Sequence, residues 1–323
     1  MTHVKFLGLG RRLGGAVAGV LAAGLVLTAC GSGDAESSGP TRAVKHAMGE
    51  AKVPETPKRI VVLDTDKLDT LKTLGMTPVG TVLPGEAAGM PKYLGGEFAK
   101  VKVVGTTQEP DVEGIAALRP DLILGSKFRQ EKFYRELSKI APTVFTDKIG
   151  ITWKQNFLLD AEAVGKKAEG QQKLQAYEAR AKELGKSLGD PAKLKVSVIR
   201  FMPDELRQYG PDSFSGIVLR DVGAGRPKLQ LLEDKADKRM APLSPERIAD
   251  ADGDIVFVAA YGKKAAQDQA KITAGPLWKK LNAVKAGHSH VVDDEIWMTG
   301  IGVTAAGLLL DDLQKYLTPL AKK

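Results

Sequence analysis

Leu174, Tyr177, Ala181, Leu184 and Leu188 recur at three- and four-residue steps, with Lys173, Glu178, Arg180, Lys182 and Glu183 between them. This is the period of a helix that buries one face and wets the other. Gly165 and Gly170 interrupt the pattern upstream, so the spacing predicts a short helix over Trp153–Val164 and a long one from Lys167. A helix of about 20 residues reaches about 30 Å, the width of a small domain. On either side the pattern changes to short apolar runs separated by amphipathic stretches. Before the long helix, strands are expected at Arg59–Leu63, Pro78–Val82, Val101–Val104, Leu122–Leu124 and Thr143–Phe145. The helices between them are expected over Asp66–Leu74, Val112–Leu118 and Gln130–Ile140. After it, strands are expected at Lys195–Arg200, Asp254–Val258 and His290–Val292. Helices there are expected over Phe214–Val222, Pro245–Ala251, Leu277–Val284 and Thr304–Leu317. Strands alternating with helices predict mostly parallel sheets covered on both faces. The expected fold is α/β: two open lobes, 59–151 and 190–323, joined by linking helices over 152–189, with a ligand cleft between the lobes.

The two lobes echo each other. Glu113 heads a short amphipathic helix that ends at Pro120-Asp121 and enters the strand Leu122–Leu124. Glu246 heads a similar one that ends at Gly253-Asp254 and enters Ile255–Phe257. Leu137–Ile140 then leads to Thr143–Asp147, as Leu281–Val284 leads to His290–Asp293. Two matches in the same order point to a structural duplication.

The first 29 residues read as a targeting segment. Lys5, Arg11 and Arg12 form a basic start, and Leu13–Ala29 is an apolar run short of the ~20 residues a membrane span needs. Arg11-Arg12 fits a twin-arginine signal poorly. The run ends in Leu27-Thr28-Ala29-Cys30, which resembles the bacterial lipobox, where cleavage leaves Cys30 as a lipid-bearing N-terminus. Residues 30–58, rich in Gly, Ser, Pro and charge, are expected to be a flexible tether. Cys30 is the only cysteine, so disulfides and thiol metal sites are excluded from the exported body. The net charge is +8, but lysines and acids are interspersed, and no basic run alternates with aromatics as a nucleic-acid groove requires.

Several enzyme-like motifs fail on context. Gly185-Lys-Ser187-Leu-Gly189 matches G-x-S-x-G, but it ends the long helix instead of standing between a strand and a helix. Gly300-Ile-Gly302-Val-Thr-Ala305 matches G-x-G-x-x-A, yet no acidic residue stands about twenty positions on to hold a ribose, because the chain ends. It reads instead as close backbone packing beside a cleft. His288 and His290 share one strand face, but His46 is the only other histidine left after the targeting segment, too few for a histidine zinc site.

The arginines and aromatics are more telling. Arg200 ends the strand that opens the second lobe, with Arg207 and Tyr209 close behind, and Trp297 precedes the Gly300–Gly302 turn. Phe128 and Arg129 follow the strand that ends at Leu124. All lie near carboxyl ends of predicted strands, where open α/β sheets bind ligands. Arginine there offers several donors to ligand oxygens, and aromatic rings offer flat contact area.

A lipobox, a tether and two α/β lobes joined by one long helix resemble the iron-siderophore class of substrate-binding lipoproteins that serve ABC importers. The local matches are Leu63–Gly80, Glu113–Leu124, Leu137–Val144, Ser197–Gly210 and Trp297–Leu313, so the resemblance covers nearly all of the chain after the tether. Members hold a ferric chelate, haem or cobalamin between the lobes. The segments around Arg200 and Trp297 are most similar to members for hydroxamate siderophores such as ferrioxamine. The resemblance implies a monomeric, non-enzymatic carrier on the outer face of the cytoplasmic membrane, anchored through Cys30. Its partners would be a ferric siderophore and ABC permease subunits, not nucleic acid. It needs no cofactor or metal-ligand cluster, because a siderophore already fills the iron's coordination shell. Arg200, Tyr209 and Trp297, with Phe128, Arg129 and Arg207, are the expected ligand contacts. Glu113 and Glu246 are the expected contacts to permease arginines. A rival reading, an extracytoplasmic lipoprotein enzyme, lacks a nucleophile–base pair.

Overall fold

The computed structural model describes residues 39–85 and 87–321. The targeting segment and Cys30 lie outside the described residues, and among these no helix is long and apolar enough to cross a membrane.

The described chain begins with an antiparallel hairpin, β1 (Thr41–His46) and β2 (Gly49–Pro54), where a flexible tether was expected. Each strand sinks one valine, Val44 and Val53, into the core. Arg42 on β1 donates to the Glu162 and Ala163 carbonyls at 3.0 and 2.7 Å, fastening the hairpin to the end of a linking helix. His46 packs against Tyr134, and burial lowers its pKa. With one large apolar residue per strand, the hairpin shows almost no alternation in sequence, which is why it reads as a tether.

Lobe one runs β3 (Ile60–Val62), α1 (Thr65–Thr73), β4 (Gly80–Leu83), β5 (Lys102–Thr106), α2 (Val112–Ala117), β6 (Leu122–Ser126), α3 (Lys127–Gln130), α4 (Tyr134–Ile140) and β7 (Thr143–Thr146). Its sheet is parallel throughout, in the order β5-β4-β3-β6-β7. The linking helices are α5 (Trp153–Ala163) and α6 (Lys167–Ser187).

Lobe two runs β8 (Val196–Phe201), β9 (Leu206–Tyr209), α7 (Phe214–Val222), β10 (Met240–Pro242), a 3₁₀ turn over Pro245–Ala251, β11 (Ile255–Ala260), α8 (Gly262–Thr273), α9 (Pro276–Lys279), α10 (Asn282–Lys285), β12 (Ser289–Val291), a π turn over Glu295–Thr299, and α11 (Val303–Ala321). Its sheet is β10-β9-β8-β11-β12, with β8, β11 and β12 parallel and β9 antiparallel to both its neighbours.

The duplication is visible at atomic detail. Asp121 accepts from the amides of Lys58 and Arg59 at 2.7 and 2.9 Å, tying the start of β6 to that of β3. Asp254 accepts from the Lys195 amide at 2.7 Å and does the same for β11 and β8.

Alternating residues along the central strands feed different cores. Ile60, Val62, Leu122 and Leu124 of lobe one, with Val196, Val198, Ile255 and Phe257 of lobe two, join one apolar cluster with α5, α6, α7 and α11. The residues between them turn to separate cores, one per lobe. The lobes therefore share a continuous core through the linking helices, which disfavours wide hinge motion. Gly185 belongs to that packing, since a Cβ there would stand 2.2 Å from the Val222 carbonyl oxygen. Ser187 donates to its own helix at Leu184, as befits a helix end and not a nucleophile.

Candidate functional site

The carboxyl ends of β3 and β11 face each other across a cleft of about 600 Å³. Thr65 and Lys92 line it from lobe one, and Tyr261, Asp294 and Glu295 from lobe two. A smaller recess of about 280 Å³ also lies between the lobes, with Phe128 and Ile151 on one side and Asp237 and Arg239 on the other. A larger groove of about 960 Å³ opens around Lys195, Asp254 and Asn282, at the amino ends of the lobe-two strands. It touches lobe two alone and is remote from the strand ends where ligands bind such sheets.

Arg200 stands at the lip of β8 and is almost fully buried. Its Nε and Nη2 donate to the two oxygens of Asp294, each at 2.6 Å, and its Nη1 donates to the Tyr209 hydroxyl at 3.1 Å. The guanidinium carbon lies 4.9 Å from the centre of the Tyr261 ring. Burial works against the cation, but Tyr209 and Asp294 outweigh it and hold the Arg200 pKa above its ordinary value. Burial pushes the Asp294 carboxyl up, and Arg200 pulls against that shift. The bidentate geometry makes the charged pair the stable form.

Arg207 lies directly opposite Arg200 in the β8–β9 register, hence on the same face, and its Nε donates to Glu205. Across the cleft, Arg129 Nε stands 3.2 Å from Asp64 Oδ2 in an ion pair without hydrogen-bond alignment, and its Nη1 donates to Thr107 at 3.3 Å. Asp64 is fully buried at the amino end of α1. Burial raises its pKa, and Arg129 opposes that rise. Phe128 is largely exposed, and Arg239 of lobe two sits 5.7 Å from its ring centre.

Arg200, Arg207 and Tyr209 are thus brought together at the strand ends of lobe two, and Phe128 and Arg129 at those of lobe one; of the five, Phe128 alone lines either space. Trp297 is not among them. The π turn rotates it into the core, fully buried, with its ring 4.4 Å from Phe257 and its Nε1 donating to Asp312 at 2.8 Å. It offers no surface to a ligand in this conformation. Asp294, Tyr261 and the Asp237–Arg239 pair were missed in the sequence. Tyr261 follows β11 directly, so the strand-end rule that marked Arg200 applied to it as well. The Gly300–Gly302 segment is close packing: a Cβ on Gly302 would meet Asp69 Oδ1 at 2.2 Å. His288 donates its Nδ1–H to the Asp254 carbonyl at 3.0 Å, and His290 stacks on Tyr316 at 4.0 Å, so both are structural.

Glu113 and Glu246 occupy matching positions, each the second residue of its short helix or 3₁₀ turn, and both are exposed. Glu246 accepts from the Ser244 hydroxyl, which lowers its pKa.

A family model described as periplasmic binding protein matches residues 60–295. The chain belongs to that family. The probable siderophore-binding lipoprotein YfiY of Bacillus subtilis is 42% identical over 92% of this chain and 95% of its own length. The Fe(3+)-citrate-binding protein YfmC of the same organism is 30% identical over 92% of this chain and 94% of its own. The solved structure of Staphylococcus aureus SirA complexed with staphyloferrin B superposes with a TM-score of 0.75 at 34% identity, covering 86% of this chain and 98% of that one. As in the family, this is a binding protein and not an enzyme.

Proposed function

We propose that the protein captures a ferric siderophore of the hydroxamate type outside the cell and delivers it to an ABC importer. One observation carries this reading: arginine donors and aromatic rings, Phe128 exposed and Tyr209 and Tyr261 half-buried, lie at the strand ends of both lobes beside Arg200 and Arg239. Arginine donors bind the outer oxygens of a chelate, and the rings pack against its organic shell. Relatives named for siderophores and ferric citrate favour this over haem or cobalamin. The protein works as a monomer, lipid-anchored through Cys30, with Glu113 and Glu246 meeting basic sockets on the permease. A carboxylate-type chelate is the second reading, favoured by the likeness to YfmC.

The test is a titration of intrinsic tryptophan fluorescence with ferric siderophores and their iron-free forms. Trp153, Trp278 and Trp297 are all buried, so quenching would report energy transfer to the bound ferric complex, not contact. Saturable quenching by a ferric hydroxamate and none by its iron-free form is expected. A flat response across the panel overturns the reading.

A further inference from the structure

Four arginines near the facing ends of the lobes, of which Arg239 alone lines either space between them, are each matched to a carboxylate of their own. Arg129 pairs with Asp64 at 3.2 Å, Arg200 with Asp294 at 2.6 Å, and Arg239 with Asp237 at 2.7 Å, while Arg207 pairs with Glu205. The pairs come from both lobes and from four separate loops or strand ends. Asp64 is fully buried, and the Arg200 and Asp294 side chains are both about nine-tenths covered, so these two are built into the fold. Arg239 is held three ways, since Asp237 also accepts from its Nε at 3.0 Å and its amide at 2.9 Å. The lysines do not follow this rule: Lys92 and Lys263 line the cleft beside Asp293 and Glu295, and Lys148 and Lys238 line the recess beside Asp212, but none of the four is in ion-pair contact with a carboxylate among the described residues.

A guanidinium has five N–H donors, and a carboxylate partner occupies only some of them. A paired arginine can therefore still donate to a ligand oxygen while its charge is cancelled nearby. An unpaired set would draw in multiply anionic complexes, and a paired set places fixed negative charge beside any anion that enters, which is costly. Iron(III) held by three hydroxamates is a neutral complex, whereas citrate and catecholate complexes are anionic.

We infer that the carboxylates paired with these four arginines are specificity determinants, selecting ferric complexes of low or zero net charge against anionic ones. The inference rests on the ferric-siderophore reading and deepens it.

The experiment compares wild type with Asp294→Asn and Asp237→Asn, each titrated with ferrichrome, a neutral trihydroxamate, and with ferric citrate, an anion. The readout is the ratio of the two affinities, so that differences in chelate shape cancel between proteins. Each substitution frees an arginine and is expected to shift the ratio toward ferric citrate by about fivefold or more, with the shift shrinking at high salt. A ratio that stays within about twofold of wild type in both variants overturns the inference while leaving the siderophore reading intact. Binding of neither complex, nor of any ferric siderophore in the panel, sinks the siderophore reading and the inference with it. Asp237 is half-exposed, so its variant carries the test should Asp294→Asn fail to fold.

Discussion

Asp69 and Thr304 belong to different lobes, yet the Asp69 carboxylate caps the last helix. Its Oδ1 accepts from the Thr304 amide at 2.9 Å and its Oδ2 from the Ala305 amide at 2.8 Å. The hydroxyls of Thr73 and Thr304 meet beside it at 2.7 Å. Helix α1 of lobe one thus satisfies the free amides at the start of α11, and Gly302 leaves the room the carboxylate requires. Together with the shared core, this latch sets the lobes at a nearly fixed separation.

The latch has a pH signature. Burial raises the Asp69 pKa from 3.8 to about 6, against the opposing amides of Ala305 and Thr304. Between those two values the native state holds a proton that the unfolded chain has lost. This group's effect on stability therefore becomes more favourable as pH falls through 6, and levels off below the unfolded value. From pH 7 to pH 5 the gain is about 1 kcal/mol. Urea denaturation of wild type and Asp69→Asn at both pH values checks it: the wild type should improve relative to the variant on acidification. An unchanged difference would mean that Asp69 titrates as an ordinary carboxylate.

Arg200→Ala should act on both binding and stability. Loss of a charged donor should weaken the preferred ferric complex by about 1.5–3 kcal/mol. It also strands Asp294 with its charge largely buried, so the melting temperature should fall. The double substitution Arg200→Met with Asp294→Leu should recover much of the stability but not the binding. Unchanged affinity in the single variant would place Arg200 outside the site.

Trp297→Phe separates a core role from a contact role. The substitution leaves Asp312 without its indole donor and opens space beside Phe257, so a loss of about 1–3 kcal/mol of stability is expected. Affinity should stay near wild type. A large loss of affinity with normal stability would show that the ring swings out to meet the ligand.

Much of the fold is legible because its signals are local. The periodicity of α6 and the Phe214–Val222 helix lie where the apolar spacing puts them. What escaped has weak or distant signals. Helix α8 buries only Ala265 and Gln269, too thin a stripe to show as a period. The expected helix over Leu277–Val284 breaks at Leu281, which is extended, and Asp252 caps its second half through the Asn282 amide. Trp297 was placed by its neighbourhood in sequence, but an irregular helical turn sets its direction and leaves no periodic trace. Arg200 could be picked out as a strand-end arginine. Its partner Asp294 is 94 residues away, and no local pattern joins them.

Glu113 and Glu246 give the remaining prediction. A glutamate in a helix's first turn is favourable in itself, because it faces the positive end of the helix dipole. Two features exceed that explanation. The residues are equivalent under the internal duplication, since the helix or turn each heads leads to a strand tied down by Asp121 or Asp254. Both side chains are also exposed, where a cap needs no exposure. A pseudo-symmetric permease of two similar subunits would offer two matching basic sockets to such a pair. Charges on a rim chiefly set docking orientation and association rate. Replacing both by alanine should therefore leave siderophore affinity within about 0.5 kcal/mol, the usual scale for surface changes, while uptake by cells falls sharply. The measurement is radiolabelled ferric siderophore uptake at matched protein levels. Normal uptake by the double variant would reduce both glutamates to helix-dipole partners, and loss of binding by the purified protein would show that they shape the cleft instead.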